Sequence, residues 1–109
     1  MKEYIKSIFE VFQFINYTAK NNNDTKLGLI SLVIYNYIKK IALANNIELN
    51  HEKQTINLNT ISLKPIFDYI NNNQIELFDF QKISEDDIDA NNENDIERFV
   101  LTHIYYITQ

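Results

Sequence analysis

From Lys2 to Lys20, apolar residues recur at three- and four-residue steps. Ile5, Ile8, Phe9, Phe12, Ile15 and Ala19 share one face, and Lys6, Gln13, Tyr17 and Lys20 lie opposite. That spacing predicts an amphipathic helix over 2–20. Phe14 falls outside the apolar arc, beside Ser7 and Thr18. The run Asn21-Asn22-Asn23-Asp24 ends this helix and supplies caps for the next.

A second helix is predicted over 25–45. Leu27, Ile30, Ile34, Ile38 and Ile41 form one stripe, and Leu29, Leu32 and Leu43 form another at a large angle to it. A helix apolar on most sides is central in a bundle or covered by a partner. Gly28, in its first turn, weakens the helix by about 1 kcal/mol relative to Ala and is read as permitting a close helix contact.

The pattern then changes period. Ile47-Glu48-Leu49 and Thr55-Ile56-Asn57-Leu58-Asn59 alternate around the polar run His51 to Gln54, which predicts a β hairpin. Ser62 is positioned to cap a third helix carrying Pro65, Ile66, Phe67, Tyr69 and Ile70, and Asn71-Asn72-Asn73 stops it. Residues 74–80 alternate at first and then turn aromatic, predicting a third strand in preference to a helical return. Ser84 to Asp87 reads as a capping box for a short turn over 85–90. Asn94 with Glu97 gives a similar signal for a final helix over 95–108, with Ile96, Phe99, Val100, Ile104 and Ile107 on one face. The expected fold is mainly α: a four-helix bundle-like single domain with a small β hairpin or three-stranded element, and α+β as the alternative.

Composition narrows the chemistry. The 109 residues include no Cys, one Gly and one Pro. Disulfides, thiolate metal sites and thiol nucleophiles are excluded, and a glycine-rich phosphate loop is disfavoured. Eighteen Ile and sixteen Asn point to A/T-rich codons, which discounts the Asn clusters and the two Asn-x-Thr matches at Asn16 and Asn23 as functional signals. Lys2, Glu3, Lys6 and Glu10 break any apolar run near the start. Ser31, Asn36, Lys39 and Lys40 interrupt the most apolar stretch, so neither a secretory signal nor a membrane span is expected. The expected location is the cytoplasm.

Charge is strongly polarised. Residues 1–73 carry six acids and eight bases, whereas residues 74–109 carry nine acids and two bases. Seven carboxylates (Glu85, Asp86, Asp87, Asp89, Glu93, Asp95 and Glu97) follow one another with no basic residue between them. Such a field steers a basic partner and repels phosphates, so no nucleic-acid partner is expected. The plainer reading is carboxylates offsetting the dipoles of two successive helix N-termini. Residues 87–98 also approach a calcium loop, with Asp87, Asp89, Asn91, Glu93 and Asp95 at alternate positions. However, Asn92 replaces the turn glycine, and Arg98 stands where a bidentate Glu is required. Neither a metal nor a cofactor is expected.

Other chemistry is sparse. His103 falls on the apolar face of the last helix, where a satisfied core residue is the expected role, and His51 lies in the predicted hairpin loop. General acid–base cleavage by two histidines is the weaker reading. The serines lack nucleophile-elbow glycines. Tyr105, with Phe14 and Leu101, projects away from the predicted core stripe as apolar surface.

The expectation is a non-catalytic acidic binding protein that holds a basic, toxin-like protein. The acidic run would contribute charge, and Tyr105, Tyr106 or Phe14 would contribute apolar anchors. On size and charge alone it compares first with immunity proteins that neutralise nuclease toxins, then with phage inhibitors that mimic nucleic acid. The alternative is a helical scaffold, possible as a homodimer, that packs through Leu29, Leu32 and Leu43.

Overall fold

Where the apolar pattern has a period of 3.6, helices form. The computed structural model describes residues 1–50, 57–83, 89 and 91–109. It contains α1 (Lys2–Asn21), α2 (Thr25–Ala44), α3 (Lys64–Asn72) and α4 (Glu93–Ile107), with a 3₁₀ turn at Leu58–Thr60.

The helix ends explain the Asn clusters. Asn23, Asn46 and Gln74 adopt φ of 50°, 56° and 52° just past α1, α2 and α3. In each case the next residue returns its N–H to the last turn: Asp24 to Ala19 O, Ile47 to Ala42 O and Ile75 to Ile70 O, at 2.9, 2.8 and 3.0 Å. These are Schellman closures, in which the left-handed position usually falls to glycine. Here amide side chains occupy all three. Asp24 also caps α2, its carboxylate accepting from Leu27 N at 2.9 Å.

The three-residue link between α1 and α2 folds them back as an antiparallel pair. Ile5, Ile8, Val11 and Ile15 of α1 interlock with Ile30, Ile34 and Ile38 of α2, all buried. Ile66 of α3 closes the core against α1, and Val100, Leu101 and Ile104 of α4 close it on the side of α2.

Several sequence expectations change. The β hairpin and three-stranded element are not supported: no strand occurs among the described residues, and Leu58–Thr60 forms a 3₁₀ turn. The hairpin loop at His51 to Gln54, with Thr55 and Ile56, lies outside the described residues. So does the predicted turn over 85–90, except Asp89.

Residues 75–80 run beside α4 as a strap. Phe78 N donates to Thr102 Oγ1 at 3.0 Å, and Arg98 Nε donates to Glu76 O at 2.7 Å. Helix side chains thus satisfy backbone groups that a sheet would have paired. Ser62 does not cap α3, whose N-cap is Leu63, with no side-chain bond. Helix α4 starts earlier than predicted because Asn92, not Asn94, is the cap; its side chain accepts from the N–H groups of Asn94 and Asp95. Gly28 makes no close contact, since a Cβ there would meet nothing within 4 Å.

Candidate functional site: a tyrosine-locked carboxylate and an acidic helix end

Each helix contributes one residue to a polar cluster inside the fold. Glu97 of α4 accepts through Oε2 from the Tyr37 hydroxyl of α2 at 3.0 Å and from the Tyr69 hydroxyl of α3 at 2.9 Å. Tyr4 of α1 lies 2.7 Å, hydroxyl to hydroxyl, from Tyr37. A phenol has one proton, and that of Tyr37 goes to Glu97, so Tyr4 must donate to Tyr37. The Tyr4 and Tyr69 rings stack with centroids 3.9 Å apart. Bonds to an ionised acceptor are the stronger kind, and low local polarity strengthens them further. Burial pushes the Tyr37 and Tyr4 hydroxyls well above the ordinary phenol range. Burial and the bond to Glu97 push Tyr69 up to about 12.

Glu97 therefore leaves the acidic surface that its sequence position suggested. A readable signal existed: it precedes Val100, Leu101 and Ile104 by three, four and seven residues, which places it on the core stripe. Glu93 remains outside, its side chain 75% exposed, and pairs with Lys40 of α2 at 2.5 Å. The hydrogen bond from Lys40, then its charge, holds the Glu93 carboxyl below the usual range. Asp95 is half-buried in the first turn of α4. Asp89 is exposed, and its carboxylate accepts from Asn91 N at 2.9 Å. Glu85, Asp86 and Asp87 lie outside the described residues.

Both bases of this region are engaged within it. Arg98 lies over the Phe78 ring at 3.9 Å while bonding Glu76 O, and Lys82 sits 4.0 Å from Asp79. The guanidinium at the last position of the calcium-loop pattern is thereby used to clamp the strap. Among the described residues no group of three or more acidic or histidine side chains gathers into a metal cage.

The apolar anchors sort differently from expectation. Leu101 is fully buried, not exposed, as one of the residues with which α4 closes the core. Phe14 is half-buried against the core. Tyr105 is half-buried, edge-on to Phe67 at 5.8 Å. Tyr106, also expected as an anchor, is exposed and stacks on Phe80, exposed as well, at 4.9 Å. Phe80 was missed because its place depends on the path of the strap. His103 is a core residue, buried between Phe99 and Phe80, with Nδ1 2.9 Å from Phe99 O. His51 lies outside the described residues.

By length and composition alone α2 is apolar enough to cross a membrane; here its isoleucine stripe is core, and Lys39 and Lys40 lie on its exposed side. Compared with known proteins, the chain matches no family model, no curated protein and no solved structure.

Proposed function

We propose that this chain is a non-catalytic cytoplasmic binding protein that captures a basic protein partner at the acidic end of α4 and the segment before it. The supporting observation is the imbalance of usable charge there. Residues 74–109 hold nine acids and two bases, and both bases are already engaged locally, Arg98 by Phe78 and Glu76 O, Lys82 by Asp79. Asp89 and Glu93 face solvent, Glu93 with Lys40 as its ion-pair partner, beside the carboxylates of Glu85, Asp86 and Asp87 in the sequence. Asp95 lies at the margin, and Glu97 contributes to the fold rather than to the contact. Phe80 and Tyr106, toward the other end of α4, replace Phe14 and Tyr105 as apolar anchors.

A protein that acts on nucleic acid presents a basic groove, which a carboxylate-dense surface complements. A nuclease-type toxin is therefore the first partner class, with the chain as its immunity protein; mimicry of nucleic acid by a phage-type inhibitor uses the same charge. The test is capture from an extract of the source organism with the chain as bait, followed by the same capture with Asp86→Asn, Asp87→Asn, Asp89→Asn and Glu93→Gln combined. The expected result is a retained basic nuclease, released by moderate salt and lost with the amide variant. Retention of the same protein by both baits with equal salt response overturns the proposal.

A further inference from the structure

We infer that residues 75–79 of the strap pair with the same residues of a second copy of this chain, as an antiparallel two-stranded ribbon with its dyad at Leu77. The strap is fastened to α4 along one edge. Glu76 O accepts from Arg98 Nε at 2.7 Å, and Phe78 N donates to Thr102 Oγ1 at 3.0 Å. Two strap residues thus span one turn of α4. That is the match of an extended chain, which advances about 6.6 Å per two residues, to a helix that advances about 6 Å per four. Successive residues of an extended chain direct their N–H and C=O groups to opposite edges, so residues 75, 77 and 79 serve the other edge.

The groups on that edge select the occupant. Ile75 N already donates to Ile70 O, and Asp79 O already accepts from Lys82 N and Ile83 N, all at 3.0 Å. Ile75 O, Leu77 N, Leu77 O and Asp79 N have no hydrogen-bond partner among the described residues. Buried backbone groups are almost always paired, so these four belong to a water-facing edge. An unpaired edge of this kind is a template for another strand.

A second copy uses all four. With Leu77 at the dyad, each Leu77 exchanges both of its bonds with Leu77 of the partner subunit, and each Asp79 N donates to the partner subunit's Ile75 O. The two groups that would continue the ladder, Ile75 N and Asp79 O, are the ones satisfied inside the chain, which ends the ribbon there.

Charge fits the same register. Glu76 is exposed, and neither its carboxylate nor the Arg98 guanidinium has an ion-pair partner among the described residues. In the ribbon Glu76 stands opposite Phe78 of the partner subunit. Within each chain Arg98 lies over the Phe78 ring at 3.9 Å, so each Glu76 meets Arg98 of the partner subunit. The dyad makes two such pairs. A two-stranded ribbon alone is marginal; here α4 holds each strand in place beforehand, and the association is reversible. This inference does not depend on the basic-partner reading.

Amide hydrogen exchange of the full chain from micromolar to millimolar concentration, with sedimentation of the same samples, tests it. The expected result is a monomer–dimer equilibrium that weakens in salt. The Leu77 and Asp79 amides should slow in proportion to the dimer fraction, whereas the Phe78 amide is protected at every concentration. Glu76→Arg, at an exposed position, sets like charges together and should weaken association at least about tenfold, with unchanged helicity and melting. Monomer at every concentration overturns the inference. So does a dimer whose Leu77 amide exchanges as fast as the monomer's, or one indifferent to Glu76→Arg. Slowing of the Leu77 amide only when a basic protein captured by the chain is added overturns it too, and assigns the edge to that protein.

Discussion

The Glu97 carboxylate accepts a hydrogen bond from the Tyr37 hydroxyl at 3.0 Å, across sixty residues of sequence. Replacing Tyr37 by Phe removes that donor and leaves the buried Tyr4 hydroxyl without its acceptor. The expected destabilisation is ~1–3 kcal/mol, read from urea unfolding. Tyr69→Phe should cost less, because Tyr69 is only half-buried and its loss orphans no second hydroxyl. A double-mutant cycle of Tyr4→Phe with Tyr37→Phe should be non-additive, since the first change already removes the group that the second would orphan.

The same cluster makes the fold sensitive to alkali. The folded pKa of Tyr69 is raised to about 12, and those of Tyr4 and Tyr37 are raised in the same direction. Unfolded tyrosines lose their protons near pH 10. Above that pH the unfolded chain binds fewer protons than the folded one, so stability falls as pH rises. The contribution of Tyr69 is complete below about pH 10 and is lost between there and about 12. Urea midpoints should fall across that range in the wild type and fall less in Tyr69→Phe.

Glu93 and Lys40 provide a contrast. The pair is exposed, and its pull on the Glu93 carboxyl is downward. Its contribution is therefore present above the ordinary carboxylate range and lost as pH falls through the lowered value. Lys40→Gln should return the Glu93 titration, followed by NMR, toward the ordinary range, with little change in thermal midpoint at high salt.

Two substitutions at helix ends should stabilise the chain. Gly28 has open space around its Cα, so Gly28→Ala should gain about 1 kcal/mol from helix propensity. Gln74 holds φ of 52°, and Gln74→Gly should relieve up to about 1 kcal/mol of left-handed strain. Differential scanning calorimetry reads both.

The strap can be loosened selectively. Thr102→Val removes the acceptor for Phe78 N and should cost about 1 kcal/mol. Hydrogen exchange at the Phe78 amide should accelerate far more than at α1 amides, as expected for a locally held segment.

Residues 2–21 and 25–44 were legible because local periodicity and an immediate Asp cap act within a few residues. The strap was not. Its alternation is real, with Ile75 and Leu77 inward and Glu76 outward, but alternation states only which side is buried, not whether a sheet or a helix takes the backbone groups. For Glu97, charge counting favoured the surface, whereas its spacing from Val100 and Leu101 pointed inward. Which phenols would meet it depends on the packing of four helices, beyond the reach of any local pattern.

The three left-handed helix ends have a consequence for how such a chain tolerates change. Glycine codons are rich in G and asparagine codons rich in A, so a gene drifting toward A/T loses the residue that most easily reverses a backbone and accumulates the one that substitutes for it. Asn23 and Asn46 occupy such reversals, so the boundaries of α1 and α2 are written in the residue type that this drift supplies. The architecture can persist while the nucleotide composition beneath it shifts.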